Sequence, residues 1–572
     1  MIDILPPGLI LIVGGVLISL LRGRAQAIAA VVLPVLGFAQ LLLLEPGSYL
    51  HLQLFDYELT VVRVDRLSLV FGYIFHIAAF LTAIYALNVR DGLQHCSAMI
   101  YVGSAVGAVF AGDLMTLFVY WELTAVGSVF LIWASRTERA YRAGMRYLII
   151  QVGSGVVLLA GVILHVSATG SLDFDRLISA DGLLRSASVG VVLIFVAFGI
   201  KCAFPLLHPW LQDTYPESTP TGTVFLSIFT TKLAVYALAR GFAGTDCLIW
   251  IGATMTAFPI FYAVIENDLR RVLTYSLNNQ LGFMVLGIGI GTKMALNGAV
   301  SYAFANIIFE GLLFMAMGAV LLRTGTCKGS ELGGLYKSMP LTTVFCIVGA
   351  ASISAFPFLS GFVTKSIILD ETAAGGHTVA WLVLLFASAG VFHHSGIKIP
   401  FFAFFAHDAG FRVKEAPRPM LVAMAAMAVA CVVIGIFPGL LYSILPYAVD
   451  YHPYTATHVV TQYQLLLFSA LAFTVLKVTG IYPAELRSVN LDIDWIYRKG
   501  LPNLIGRVAR IGGGVGERMH AVVSTQLDRI YRGIYRLHGP TGVFARTWTT
   551  GAIAFWAVVG LFGFLLLYLW GR

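Results

Sequence analysis

Five ionisable residues lie where an apolar chain can least easily hold a charge: Glu122, Lys201, Lys232, Glu310 and Lys365, each inside a hydrophobic stretch. On membrane-insertion scales a charge at the centre of a spanning helix costs about 2.5–3.5 kcal/mol, so such residues face a polar interior and commonly mark an ion pathway. Glu122 sits about nine residues, ~13 Å, into its stretch, near the middle of ~30 Å of hydrocarbon. A carboxylate there needs either a proton or a lysine partner, and both states suit a proton carrier. Lys201 is followed by Pro205. A proline four residues on lacks an N–H and clashes with the Lys201 carbonyl, so the helix is expected to break beside the charge. Broken helices beside a polar site are how secondary transporters offer backbone groups to an ion. Lys232 follows on the next helix, placed to exchange protons with Lys201 through water, and Glu310 is expected to partner Lys365. His208, in the broken segment, is a candidate relay between bulk water and Lys201. Plainer readings stand beside these: lysines snorkelling to the interface, Glu122 in a structural ion pair, His208 as a satisfied structural histidine.

The elements that must position these groups are transmembrane helices. Of 572 residues, 58% are hydrophobic and only 12% charged, a composition of polytopic membrane proteins. Sixteen apolar windows long enough to span can be read, from Leu5–Leu21 to Gly551–Trp570. The first has no basic residues before it and no small-residue cleavage site after it, so it is expected to be retained. Lys and Arg collect in alternate loops, for example Arg136, Arg139 and Arg142, while Asp173, Asp175 and Asp181 share an intervening one. By the positive-inside rule both termini then lie outside, in a cell (inner) membrane. Asp213 and Glu217 break the pattern, on the predicted inside with no basic neighbour in sequence.

The motif Ala203-Phe-Pro205-Leu-Leu recurs as Ala355-Phe-Pro357-Phe-Leu five spans later, and Lys365 follows the second proline. A five-helix unit repeated in tandem reverses its membrane orientation, so the fold class is all-α with two inverted five-helix repeats and broken helices. The expected organisation is N-terminal helices over 1–96, repeats over 97–265 and 266–442, and an extra helix in 443–480. An amphipathic surface segment follows over 481–549, with a last transmembrane helix in 550–572. In the surface segment Val522, Leu527, Ile530, Tyr531, Ile534, Tyr535 and Leu537 interleave with Arg529, Arg532 and Arg536. Gly512–Gly514 and Gly516 are expected to interrupt it. Six scattered cysteines and no C-x-x-C suggest no iron–sulfur or zinc site. Nothing fixes His393, His394, His407 and Asp408 as one metal cluster, so no cofactor or metal is expected. The net charge of +8 sits in short loops, which argues for topology and not for nucleic acid.

These residues resemble a family. Phe118-Val-Tyr-Trp121-Glu122-Leu, Gly199-Ile-Lys201 with Pro205-Leu-Leu-His208-Pro-Trp210, Asp268-Leu-Arg-Arg271-Val-Leu-Thr-Tyr275-Ser276 and Ser360-Gly361-Phe362-Val-Thr-Lys365 resemble the antiporter-like membrane subunits. That family is shared by Mrp-type multisubunit cation/proton antiporters, complex I and membrane-bound hydrogenases. Within it the chain looks most like the D subunit of Mrp-type Na+/H+ antiporters. The resemblance implies that Glu122 and Lys201 are the family's glutamate–lysine pair, Lys232 its bridging lysine and Lys365 its terminal lysine or glutamate. It implies a proton-translocating subunit with other membrane subunits as partners and protons and monovalent cations as substrates. The chain departs from the family's pattern at Gln280, Asn306 and Glu310, where the central relay is altered.

Overall fold

The computed structural model describes residues 5–54, 56–179, 182–482, 490, 492, 493, 495–538 and 549–570. Asp181 lies outside these residues, as do parts of the expected surface segment. Two compact units result, Met1–Asn490 and Leu491–Arg572.

In the first unit α1 (Leu9–Ile18) and α2 (Arg24–Leu42) precede a hairpin of β1 (Gly47–Leu54) and β2 (Tyr57–Val64). The antiparallel register runs from Gly47 opposite Val64 to Leu54 opposite Tyr57. This hairpin is not expected from the apolar windows. It forms because 57–64 buries Leu59, Val62 and Val64 and lends its Thr60 carbonyl to the Gly112 N–H.

Then come α3 (Arg66–Tyr85), α4 (Gly92–Phe110), α5 (Leu114–Trp133), α6 (Glu138–Thr169), α7 (Val189–Lys201), α8 (Pro209–Thr214), α9 (Pro220–Ile228) and α10 (Thr230–Gly241). They are followed by α11 (Asp246–Ile265), α12 (Leu269–Ile290), α13 (Lys293–Thr324), α14 (Pro340–Ile353), α15 (Ser360–Ala374) and α16 (Thr378–Val391). Helix α16 continues through two π-helical stretches, Phe392–Lys398 and Phe401–Phe405. Three more helices, α17 (Arg418–Ile436), α18 (Gly439–Tyr442) and α19 (Ala456–Val478), complete the unit.

All sixteen apolar windows fall on helix, and twelve described helices are long and apolar enough to cross a membrane. The other four windows fall on α1, on α7–α8, on α14–α15, and on α12, which is rich in buried amides.

Short polar side chains start many of these helices. Asp113 accepts from the Thr116 N–H at 2.7 Å, and Asp65 and Ser68 form a reciprocal capping box on α3. Close packing uses glycine: α6 meets α7 at Gly161 and Gly190, and α11 meets α12 at Gly252 and Gly282, where any Cβ would fall within 3 Å of facing backbone.

Two helices break at the prolines. Helix α7 stops at Lys201 and α14 at Ile353, and the linkers share a backbone path. Ala203 and Ala355 both take φ of 59°, and Leu206 and Phe358 take 73° and 70°. Left-handed non-glycine residues cost about 1–3 kcal/mol each and persist where the surroundings hold them. Here freed carbonyls are taken up: Trp210 donates to Ile200 O at 2.9 Å, Asn278 to Ala203 O at 2.8 Å and Gln462 to Ser354 O at 3.3 Å.

A second correspondence lies at the helix starts. Asp113 bridges Asp173, and Asp268 bridges Lys328. In each case the first residue of a capped helix, Leu114 or Leu269, donates its N–H to a returning loop at 2.9 Å.

In the second unit α20 (Leu501–His538) is one unbroken helix and α21 (Thr550–Trp570) is apolar. The expected interruption at Gly512–Gly514 and Gly516 does not occur. Each glycine costs about 1 kcal/mol against alanine, which a helix of this length absorbs. Leu504, Ile505, Val508, Leu527, Ile530 and Ile534 on α20 are exposed.

Candidate functional site

The site grows from the first break. As the last residue of α7, Lys201 points its ammonium at α5, donating to Trp121 O at 2.5 Å and Thr124 Oγ1 at 2.7 Å. It also stands 4.2 Å from the centroid of the Trp121 ring. The indole of Trp121 donates to Ser154 Oγ on α6 at 3.2 Å, and Ser154 donates to Ala197 O on α7 at 2.8 Å. Three helices are thus tied around one buried cation.

Glu122 is the next residue after Trp121, and its carboxylate rests on bare backbone at Gly155 of α6. A Cβ there would lie 1.3 Å from Glu122 Oε1, an oxygen that is buried without a hydrogen-bond partner. Glu122 and Lys201 feel each other's charge but form no ion pair within 4 Å among the described residues. The lysine's bonds go to neutral groups, so it is solvated independently of the acid.

A further break, at Phe229, is not marked by proline. The Thr230 N–H leaves the helical ladder and donates to Tyr101 Oη at 2.9 Å, while the Thr230 hydroxyl bonds the same oxygen at 2.6 Å. Rings of Phe75 and Tyr101 pack edge-on against Phe229 at 5.1 and 5.6 Å. Lys232, fully buried one turn into α10, donates back to Ser227 O at 2.9 Å.

The acid that faces Lys232 is Glu310 of α13; the two interact electrostatically. This corrects the expected pairing of Glu310 with Lys365. Lys365 makes no ion pair among the described residues and lies 4.2 Å from the Phe283 ring centroid. Both acid and lysine sit on helices that pack together, but Glu310 interacts with Lys232 of α10, and the next residue, Gly311, lies between Met427 of α17 and Ile228 of α9.

The altered residues take part in two separate hydrogen-bonded groups. Asn306 donates to Glu310 Oε2 at 2.7 Å, and one turn earlier Tyr302 donates to Gln280 Oε1. Gln280 donates to Asn279 Oδ1 at 3.0 Å, and Asn279 to Thr256 O. His208 immediately precedes α8 and packs its ring 4.6 Å from that of Phe258.

Asp213 and Glu217 do have basic partners in space. Arg146 donates to Asp213 at 2.6 and 3.1 Å, and Arg139 reaches Glu217 at 2.6 Å. Reading only sequence neighbours missed them.

One further buried charge, Lys398, went unnoticed, and His394, weighed in the sequence only as a metal ligand, makes a polar contact of its own. Lys398 is fully buried and donates to the carbonyls of Ala263, Val264 and Glu266, the last at 2.6 Å. It carries the same signal as Lys201, a lysine shortly before a proline, here Pro400. His394, also buried, bonds Ser395, which donates to Ser276 at 2.8 Å. Among the described residues no group of three or more His, Cys, Asp and Glu side chains could hold a metal ion.

Comparison with known proteins agrees with this arrangement. A family model described as NADH:quinone oxidoreductase/Mrp antiporter, transmembrane, matches residues 111–392. The D subunit of the Na(+)/H(+) antiporter of Alkalihalophilus pseudofirmus is 31% identical over 335 residues, 55% of this chain and 67% of that protein. The A/B subunit of a probable K(+)/H(+) antiporter of Rhizobium meliloti is 28% identical over 407 residues, 66% of this chain but only 40% of that longer protein. A chain in the structure of the Mrp complex from Dietzia sp. superposes with a TM-score of 0.68 at 20% identity, covering 82% of this chain and 98% of that one. The sequence motifs, the broken helices with their buried lysines and these matches agree: the chain belongs to the NADH:quinone oxidoreductase/Mrp antiporter transmembrane family.

Proposed function

We propose that this chain is the proton-translocating subunit of a multisubunit monovalent cation (Na+)/H+ antiporter of the inner membrane. The observation that carries the reading is Lys201, held at a helix break by the Trp121 carbonyl and Thr124 hydroxyl beside an unbonded Glu122 oxygen. A lysine solvated by neutral acceptors can give up its proton without stripping a carboxylate of its partner, a loss that costs about 3–5 kcal/mol in a buried pair. Glu122 then biases Lys201 through space, favouring its charged form when ionised. Protons pass from this pair to Lys232 and Glu310, then past Asn306, Tyr302 and Gln280, and out by Lys365, with His208 as a relay to water. Two inverted five-helix repeats underlie the path, a reading supported by the matched left-handed residues at both breaks and the matched bridges at Asp113 and Asp268.

The test is cation-driven proton flux in vesicles holding the assembled complex. Glu122→Gln should abolish it and Glu122→Asp should retain part; unchanged flux in the Gln variant refutes the mechanism.

A second reading is a proton-pumping subunit of a redox-driven assembly, a complex I-type NADH:quinone oxidoreductase or membrane-bound hydrogenase. It is favoured by the amphipathic α20 of 38 residues followed by the apolar α21, an ending suited to lying across neighbouring subunits. Genes for antiporter subunits beside this one, or for flavin and iron–sulfur subunits, separate the two.

A further inference from the structure

Glu310 is 1% exposed and Asn306 is fully buried, yet each keeps an oxygen that no protein donor reaches: Glu310 Oε1 and Asn306 Oδ1. The two side chains are one helical turn apart and fixed to each other by the 2.7 Å bond from Asn306 Nδ2 to Glu310 Oε2. They therefore present acceptors on a common face of α13. Beside that face lies the Phe229 break. With the Thr230 N–H drawn off to Tyr101, no backbone hydrogen bond crosses from α10 back to α9 among the described residues. The carbonyls of Leu226 and Ile228 are thereby released from the ladder, while Lys232 occupies that of Ser227. Ile228 of α9 reaches α13 at Gly311, the residue after Glu310, where a Cβ would sit in ordinary contact, 3.8 Å from the Ile228 side chain. Oxygens alone, one of them on a carboxylate, at an unwound helix segment is the donor set that takes a dehydrated alkali cation.

We propose that Glu310 and Asn306, at the α9–α10 break, bind a desolvated monovalent cation in exchange for the proton of Lys232. The inference rests on the antiporter reading above and gives it a site. When the cation docks on the Glu310 carboxylate, the Lys232 ammonium loses its counter-charge and releases one proton as the neutral amine. One positive charge enters and one leaves, so the buried cluster keeps its net charge. The order reverses when the lysine is reprotonated and expels the cation.

The experiment uses the assembled complex in weakly buffered detergent solution with a pH indicator, adding NaCl or KCl against choline chloride. Wild type should release about one proton per cation bound, and the more effective salt identifies the ion. Glu310→Gln should release none. The Lys232→Met, Glu310→Gln double variant leaves no unpaired charge; it should recover the wild-type melting temperature and still release none. Undiminished release in Glu310→Gln, or no release from wild type with either salt, overturns the site and leaves Glu310 Oε1 to water alone. Vesicle flux measured in parallel separates the two readings. Cation-driven proton flux in wild type together with undiminished release in Glu310→Gln sinks only this site. No cation-driven flux in wild type sinks the antiporter reading itself.

Discussion

Gly155→Ala offers a sharp test of where the Glu122 carboxylate must be. The new Cβ would start 1.3 Å from Glu122 Oε1, 2.4 Å from Cδ and 3.2 Å from Cγ. Ordinary contact needs about 3.3 Å or more, so the carboxylate must move by roughly 2 Å. A glutamate tip can swing that far by changing rotamer, at a cost on the order of 1 kcal/mol, and alanine returns up to about 1 kcal/mol of helix propensity. Folding stability should therefore change little. Transport should not survive, because misplacing a reacting group by as little as 1 Å can cost about 10²-fold in rate. The control is Gly153→Ala on the same helix, where nothing lies within 4 Å of the added methyl. In vesicles holding the assembled complex, the expected result is a roughly 100-fold loss of cation-driven proton flux for Gly155→Ala and near wild-type flux for Gly153→Ala, with both melting normally in detergent. Adding Glu122→Asp to Gly155→Ala withdraws the carboxylate by one methylene and should recover part of the loss. Equal flux in the two alanine variants would refute the assigned carboxylate position.

Further outcomes follow from the loops and the short helices. Asp213→Asn removes a two-point clasp on Arg146, which is one-third exposed and can turn to water, so the loss should be about 1–3 kcal/mol, read as a lower melting temperature of the complex. Arg412, Lys337 and the Gly410 N–H hold the Asp408 carboxyl well below the usual carboxylate range. A depressed folded value means this contribution is fully present above the unfolded value of about 4 and is lost only as pH falls below it. Hydrogen exchange in 406–417 should thus show constant protection from pH 5 to 8 after correction for the intrinsic rate, and Asp408→Asn should lower it equally across that window. Cysteines in the Arg136–Arg142 loop should be labelled only from the cytoplasmic side and those at Asp173–Asp175 only from outside; the reverse pattern overturns the proposed topology.

The membrane class and the breaks at Lys201 and before Lys365 were legible in the sequence because their causes are local. Apolar composition excludes water-soluble folding, and a proline removes its own N–H wherever it stands. Family motifs likewise marked Glu122, Lys201, Lys232 and Lys365 without any packing. The hairpin of β1 and β2 was not legible, because it lies between windows chosen for helices. Tertiary structure alone decided who meets whom. Glu310 faces Lys232 and not Lys365 because α13 packs closely along α9, with Gly318 against the Pro220 carbonyl, a contact between residues more than 80 positions apart. The Phe229 break carries no proline and exists because Tyr101, from α4, supplies the hydrogen bond that the helix gives up. Asp213 and Glu217 look unpaired along the chain but meet arginines from α6. A buried charge announces itself in sequence by its cost; its partner is fixed only by the packing of helices that the sequence lists far apart.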